Sequence, residues 1–237
     1  MERSDHDKAR EAYEQAGSIY REIGDRLGEA NCIKGLGDIA LARSDHGNAR
    51  GAYEQACPIY RELGARLGEA NCIQGLGDIA LRLSAHDKAR EAYEQACPIF
   101  RELGSRVGEA NCIQRLGDIA LRRSDHDKAR EAYEQARPIY HEIGNRLGEA
   151  NCIQGLGDIA LASGDLKGAG EQIRAALDLY VSIPEPYSIG GTLRRLARLE
   201  SDRERRKVLL DDALKNWRRA RFDNLVADLR REFPGEC

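Results

Sequence analysis

Residues 66–105 read RLGEANCIQGLGDIALRLSAHDKAREAYEQACPIFRELGS, and nearly the same forty-residue text stands on either side of them. Residues 26–65 and residues 106–145 each share 31 of 40 positions with this stretch. A fourth copy begins at Arg146 and diverges after Ser163, and an incomplete one, Asp5 to Asp25, comes before them all. A fixed period of this length is the signature of a stacked array, in which each unit is too small to bury its own apolar face. The expected organisation is a repeat array over 5–182, made of a half repeat 5–25 and units 26–65, 66–105, 106–145 and 146–182. A divergent last repeat and capping helix follow over 186–233.

Within residues 66–105 the apolar positions fall into two helical stripes. Ala70, Ile73, Leu76, Ile79 and Ala80 share one face of a first helix expected over Leu67–Leu83, with Glu69 in the turn where the helix dipole favours an acid. Ala89, Tyr93, Ala96 and Phe100 share one face of a second helix expected over His86–Leu103. Ser84 is the expected N-cap of that second helix, and Gly104 the left-handed residue that ends it. Pro58, Pro98 and Pro138 recur inside the second helices. Each removes one backbone hydrogen bond and is expected to bend the last turns, with the freed carbonyl facing solvent. The fold expected is all-α, a right-handed α-solenoid of stacked antiparallel helix pairs with capping helices at its C-terminal end.

Composition agrees and removes several classes of function. The chain has 237 residues, 32% of them charged and 5% aromatic. Lys+Arg 37 against Asp+Glu 40 gives a net charge of −3, so whole-chain electrostatics supply no reason to expect nucleic acid. No apolar run approaches the ~20 residues needed to span a bilayer. The stretch Met1-Glu2-Arg3-Ser4-Asp5 has no apolar core of a signal peptide. A cytoplasmic protein with no membrane contact is the expectation.

Leu76-Gly77, Ala89, Tyr93 and Ala96 recur as Leu36-Gly37, Ala49, Tyr53, Ala56 and as Leu116-Gly117, Ala129, Tyr133, Ala136. This small–large alternation resembles the tetratricopeptide repeat in its longer, forty-residue form, over about Asp5 to Ser182. The chain departs from the shorter form in placing Ile33, Ile73, Ile113 and Ile153 where Trp is often found. It also has His46, His86 and His126 where an aromatic often opens the second helix. The resemblance implies a concave groove lined mainly by first helices, holding an extended or helical peptide of a partner protein. By position that groove would present Asn31, Asn71, Asn111 and Asn151, then Lys34, Gln74, Gln114 and Gln154, then Asp38, Asp78, Asp118 and Asp158. The i, i+3, i+7 spacing puts each trio on one helix face whatever the family. Asn and Gln both donate and accept, which suits a grip on a peptide backbone, and the Asp row would favour a basic ligand. Arg82, Arg115 and Arg122 interrupt the acidic run. The alternative is a solvated face whose polar rows are tied up in hydrogen bonds between repeats.

After Ile183-Pro184-Glu185-Pro186 the pattern changes. Leu193, Leu196 and Leu199 predict a further first helix, Leu209, Leu210, Ala213 and Trp217 its partner, and Phe222, Leu225, Val226, Leu229 and Phe233 a last amphipathic helix. From Arg194 onward there are 13 Lys+Arg against 9 Asp+Glu. Arg194 and Arg198 replace the Gln and Asp of the groove rows and offer a seat for an acidic residue or a terminal carboxylate. No aromatic residue lies among Arg194, Arg195 and Arg198 in the sequence, which argues against single-stranded nucleic acid.

No catalytic or cofactor motif emerges. The seven cysteines, Cys32, Cys57, Cys72, Cys97, Cys112, Cys152 and Cys237, form no CxxC and read as small buried fillers. His6, His46, His86 and His126 recur one repeat apart, whereas helix axes pack 8–10 Å apart and metal–nitrogen bonds are about 2 Å, so no shared ion is expected. There is no P-loop, nucleophile elbow or HExxH. The expectation is a non-catalytic scaffold or adaptor without cofactor or metal. A second class stays open: self-assembly through the opening helix His6–Ile23, whose Ala9, Ala12, Tyr13, Ala16 and Tyr20 would form the edge of a homodimer.

Overall fold

The computed structural model describes residues 2–236, and Cys237 lies outside them. Among the described residues there are twelve α-helices. They are α1 (Glu2–Glu22), α2 (Arg26–Ala42), α3 (His46–Glu62), α4 (Arg66–Arg82), α5 (His86–Glu102), α6 (Arg106–Arg122), α7 (His126–Glu142), α8 (Arg146–Ala162), α9 (Leu166–Ser182), α10 (Pro186–Leu199), α11 (Arg203–Arg219) and α12 (Asp223–Glu232). The helices from α2 to α10 alternate first and second members of each repeat, an α-solenoid arrangement. Among the described residues no helix is long and apolar enough to cross a membrane. Contacts divide the chain into two compact units, cut between Leu116 and Gly117 inside α6, and each is described by itself.

The links between helices show why the period is so regular. Each is three residues long. In residues 83–85, Ser84 N–H donates to Leu81 O and Ala85 N–H to Ala80 O, the crossed pair of a Schellman motif. Ser84 itself sits at φ 58, as Ser44 does at 60 and Ser124 at 59. Ser84 is therefore the left-handed residue closing α4, while Ala85 holds the N-cap position of α5 with no side-chain cap. The expectation of a serine N-cap is corrected here: a residue committed to the left-handed region cannot also take the cap geometry one position later. Where an acid fills the cap, it works: Asp25 accepts from Gly28 N–H at 2.9 Å and Asp165 from Gly168 N–H at 2.9 Å. Gly104, at φ 66, ends α5 as the sequence indicates. The helices continue through Pro58, Pro98 and Pro138, each within its assigned span.

In residues 1–116, second helices lay aromatic rings onto glycines of the first helices. A Cβ built on Gly75 would stand 2.6 Å from the Tyr53 ring, and one on Gly68 would stand 2.4 Å from Tyr60. Tyr13 and Tyr20 of α1 meet Gly35 and Gly28 of α2 in the same way. These glycines buy close approach of backbone to ring, which explains their number inside helices that would otherwise favour Ala. Ala30, Ala49, Ala56, Ala70, Ala89 and Ala96 fill the spaces between and are fully buried.

Glu69, in the first turn of α4, is only 3% exposed and is bonded by Arg61 from the end of α3 (2.8 Å) and by Arg66 (2.6 Å). The same clamp recurs as Arg21–Glu29 at 2.9 Å and Arg101–Glu109 at 2.8 Å. Burial alone would raise the Glu69 carboxyl, but hydrogen bonds and charge from Arg61 and Arg66 outweigh it and hold the group below the usual range.

In residues 117–237 the repeat packing continues through α7 to α9 and then changes character. Gly155 lies against the Tyr133 ring and Gly148 against Tyr140. Further on, Gly190 of α10 lies against the Trp217 indole, whose Nε1–H donates to the Tyr187 carbonyl at 3.1 Å. Tyr180, Ile189, Leu193, Leu210, Leu214, Trp217, Val226 and Leu229 belong to one buried cluster, so α10, α11 and α12 close the core of this unit. Pro186 stands at the start of α10, where its missing N–H costs nothing, and Glu185 caps that helix through Ser188 N–H at 2.6 Å.

Candidate binding face of the first helices

In residues 1–116 the rows expected to bind a partner lie on α2 and α4, which touch each other. Asn31, Lys34 and Asp38 lie on α2, and Asn71, Gln74 and Asp78 on α4, each partly or fully exposed. Part of their hydrogen-bonding capacity is already used from beneath. Tyr53 O–H donates to Asp38 at 2.8 Å and Tyr93 O–H to Asp78 at 2.6 Å, so each Asp is fixed by the second helix of its own repeat. Tyr60 O–H donates to Asn31 Oδ1 at 2.7 Å, which leaves the Nδ2 donors of Asn31 for other partners. Phe100 stands at the corresponding place for Asn71 and offers it no hydroxyl. Burial and the Asp38 carboxylate push the Tyr53 hydroxyl up, so the phenol keeps its proton and its role as donor.

The acids also meet cations. Lys34 Nζ pairs with Asp38 at 2.7 Å, one turn along the same helix. Arg115 occupies the place that Gly75 holds one repeat earlier, and its Nε lies 3.8 Å from Asp78. Arg82 is exposed, and Asn111 is half-buried. Gln114 departs from the solvent-facing position expected of a groove residue: it is buried, only 7% exposed.

In residues 117–237 the rows continue on the end of α6, on α8 and on α10. Asn151 accepts from Tyr180 O–H at 2.7 Å, and Asp118 from Tyr133 O–H at 2.9 Å. Asp158 has no such tyrosine, because the position fifteen residues on is Ile173. Arg195, standing where Gly155 stands one repeat earlier, supplies the missing donors with a fork onto Asp158 at 2.8 and 3.1 Å. Gln154 accepts from Thr192 O–H at 2.9 Å, tying α8 to α10. Arg122 is exposed.

Arg194 and Arg198 are both engaged within the chain. Arg194 Nε donates to Glu232 Oε2 at 2.6 Å, and Arg198 Nε to the other oxygen of the same carboxylate, which α12 carries. Hydrogen bonds first from Arg198 and then from Arg194 hold the Glu232 carboxyl low, against the opposing effect of burial. A cavity of about 320 Å³ opens beside this cluster, lined among others by Gln154, Ser188, Gly191, Arg194, Arg195 and Arg198. Tyr187 also lines it, an exposed aromatic that the sequence separates from the arginines by seven positions or more.

Sequence reasoning named the polar rows and missed what lies under them. The signal was present: Tyr53, Tyr93 and Tyr133 follow Asp38, Asp78 and Asp118 by fifteen residues in each copy. The cysteines Cys32, Cys57, Cys72, Cys97, Cys112 and Cys152 are buried and free, and burial pushes the Cys72 and Cys152 thiols up to about 12. Such thiols are poor nucleophiles and poor ligands. Among the described residues no three His, Cys, Asp or Glu side chains gather as a metal site. His46 and His86 sit half-buried at the starts of α3 and α5 with Nδ1 unbonded.

The comparisons with known proteins accord with this geometry. The chain resembles BtubC from P. vanneervenii with a TM-score of 0.68 and 18% identity, covering 97% of this chain and 92% of that one. It resembles the apo form of RapI with a TM-score of 0.81 and 15% identity, covering 98% of this chain and 86% of that one. It also resembles NprR, solved in complex with its cognate peptide NprX, with a TM-score of 0.66 and 15% identity over 90% of this chain and 63% of that one. At such identities the likeness is one of fold. No curated protein sequence matches. The profile of the tetratricopeptide repeat matches residues 1–62 and 109–182, more than half of the sequence. With its paired helices, its small–aromatic packing and that match, the chain belongs to the tetratricopeptide repeat family.

Proposed function

We propose that the protein is a non-catalytic interaction module that holds an extended segment of a partner protein against its first helices. The observation that carries this reading is the Asn row. Asn31 and Asn151 each have their Oδ1 fixed by a buried tyrosine hydroxyl, so their Nδ2 donors are held ready rather than free to rotate. Within each unit, an amide held in this way suits a carbonyl of a peptide backbone. That NprR was solved with a peptide supports the same reading.

The test is a selection of peptides from a random library on the intact chain, followed by binding isotherms with Asn31→Ala and Asn151→Ala, each made separately. A lost hydrogen bond is worth about 1 kcal/mol, so the variant at the residue that grips the peptide should bind about fivefold more weakly. Unchanged affinity with unchanged helicity would place binding elsewhere.

A second reading has an observation of its own. Tyr13 is 39% exposed where its copy Tyr53 is 2% exposed, and Ala9 and Ala16 are half-buried where Ala49 and Ala56 are fully buried. We infer that α1 offers an edge on which a second copy of the chain docks. Light scattering over a hundredfold range of concentration tests it. A mass that rises from 26.4 kDa and returns to it in the variant Ala12→Arg supports docking, and a constant 26.4 kDa rejects it.

A further inference from the structure

The arginines of α10 stand in register with the polar rows of the preceding first helix, Arg194 at the Gln154 position and Arg198 at the Asp158 position. In place of a neutral amide and an acid, the row there carries two cations converging on one carboxylate. That carboxylate, Glu232, comes from the last turn of α12 and is reached by both guanidinium groups, with Arg194 Nε at 2.6 Å from Oε2. The cluster is not sealed. The Arg198 side chain is 52% exposed and that of Glu232 24%, and the cavity of about 320 Å³ runs beside them.

The element that brings Glu232 there is short. α12 has ten residues, below the length at which helices are stable alone, and of it Val226 and Leu229 are buried in the Trp217 cluster with Leu225 partly buried against them. Its N-cap, Phe222, makes no side-chain cap, and the preceding Arg221 is a non-glycine residue at φ 60. Beyond α12, Arg206 donates to Glu236 at 2.8 Å.

We propose that Arg194 and Arg198 form an acid-binding subsite, that α12 keeps it filled with Glu232, and that an acidic segment of a partner displaces Glu232 to bind there. The subsite extends the binding face proposed above and rests on it only in assuming that the partner lies along the first helices. A site that is closed most of the time binds more weakly in proportion to its open fraction, so the latch sets a threshold for acidic partners.

The experiment measures fluorescence anisotropy of a labelled hexaglutamate peptide with the intact chain, Glu232→Gln, and Glu232→Gln combined with Arg194→Gln and Arg198→Gln. Glu232→Gln should bind about tenfold more tightly than the parent chain, and the added arginine changes should abolish the gain. Equal affinity of the parent chain and Glu232→Gln, or a gain that survives loss of both arginines, overturns the proposal. So does a preference for hexathymidylate or inorganic phosphate over the peptide. Should Glu232→Gln lose helicity, hydrogen exchange of the parent chain decides: the peptide should speed exchange across α12, and unchanged protection overturns displacement. The Asn variants of the preceding section leave the arginine pair intact, so loss of library-peptide binding with retained hexaglutamate binding separates the two readings.

Discussion

Changing glycine to alanine should have opposite signs at two places one turn of packing apart. Gly75 lies in the middle of α4, and a Cβ there would stand 2.6, 2.8 and 3.1 Å from three carbons of the Tyr53 ring. The ring has nowhere to go: Tyr53 is 2% exposed, a Cβ on Gly37 would stand 3.0 Å from its other side, and its hydroxyl is held by Asp38 at 2.8 Å. Overpacking of a tight core costs about 1–3 kcal/mol, and a ring shifted far enough to relieve it gives up a hydrogen bond worth about 1 kcal/mol. The better helix propensity of Ala returns about 1 kcal/mol, which offsets the lost hydrogen bond, so Gly75→Ala should destabilise the chain by about 1–3 kcal/mol. Gly51 in α3 is exposed, and a Cβ there meets nothing within 4 Å. There the propensity stands alone, and Gly51→Ala should stabilise by about 0.5–1 kcal/mol. Urea unfolding followed by far-ultraviolet circular dichroism measures both. If Gly75→Ala is as stable as the parent chain, or Gly51→Ala less stable, the account of why these helices carry glycine is wrong.

Other substitutions test other parts of the repeat. Ser84→Gly removes the side chain from a left-handed position at φ 58 and should raise stability by about 0.5–1 kcal/mol, seen as a higher urea midpoint. Phe100→Tyr restores the hydroxyl that Tyr60 and Tyr180 give to Asn31 and Asn151; donated to Asn71, it should add up to about 1 kcal/mol, and an unchanged or lower melting temperature would count against that register. Glu69→Gln should cost about 1 kcal/mol at neutral pH, a modest figure because Arg61 and Arg66 are 65% and 47% exposed. Because the Glu69 carboxyl is held below its usual range, its contribution is complete above about pH 4.3 and lost as pH falls through the lower folded value, so the variant should flatten the acid limb of a stability–pH curve.

Fold class, period and helix pairs were all legible in the residues, because each follows from spacing that any copy can be checked against. Ala89, Tyr93, Ala96 and Phe100 read as one buried face and are one. The spacing also placed Asn31, Asn71 and Asn151, with Asp38, Asp78 and Asp158, on the first helices, since a period of 3.6 residues fixes which side chains share a face. What a face touches is not a local property. That Asp38 and Asp78 rest on tyrosines, that Arg195 stands in for an absent tyrosine at Asp158, and that Ser84 closes one helix rather than opening the next became visible only in three dimensions. The clearest case is Glu232, thirty-four residues from Arg198 and unremarked in the sequence, which meets both guanidinium groups because α11 and α12 fold back over α10. Helical periodicity governs neighbours within a turn or two; contacts between helices depend on which faces pack, and that was decided by rings seated on glycines and by the Trp217 core that brings α10, α11 and α12 together.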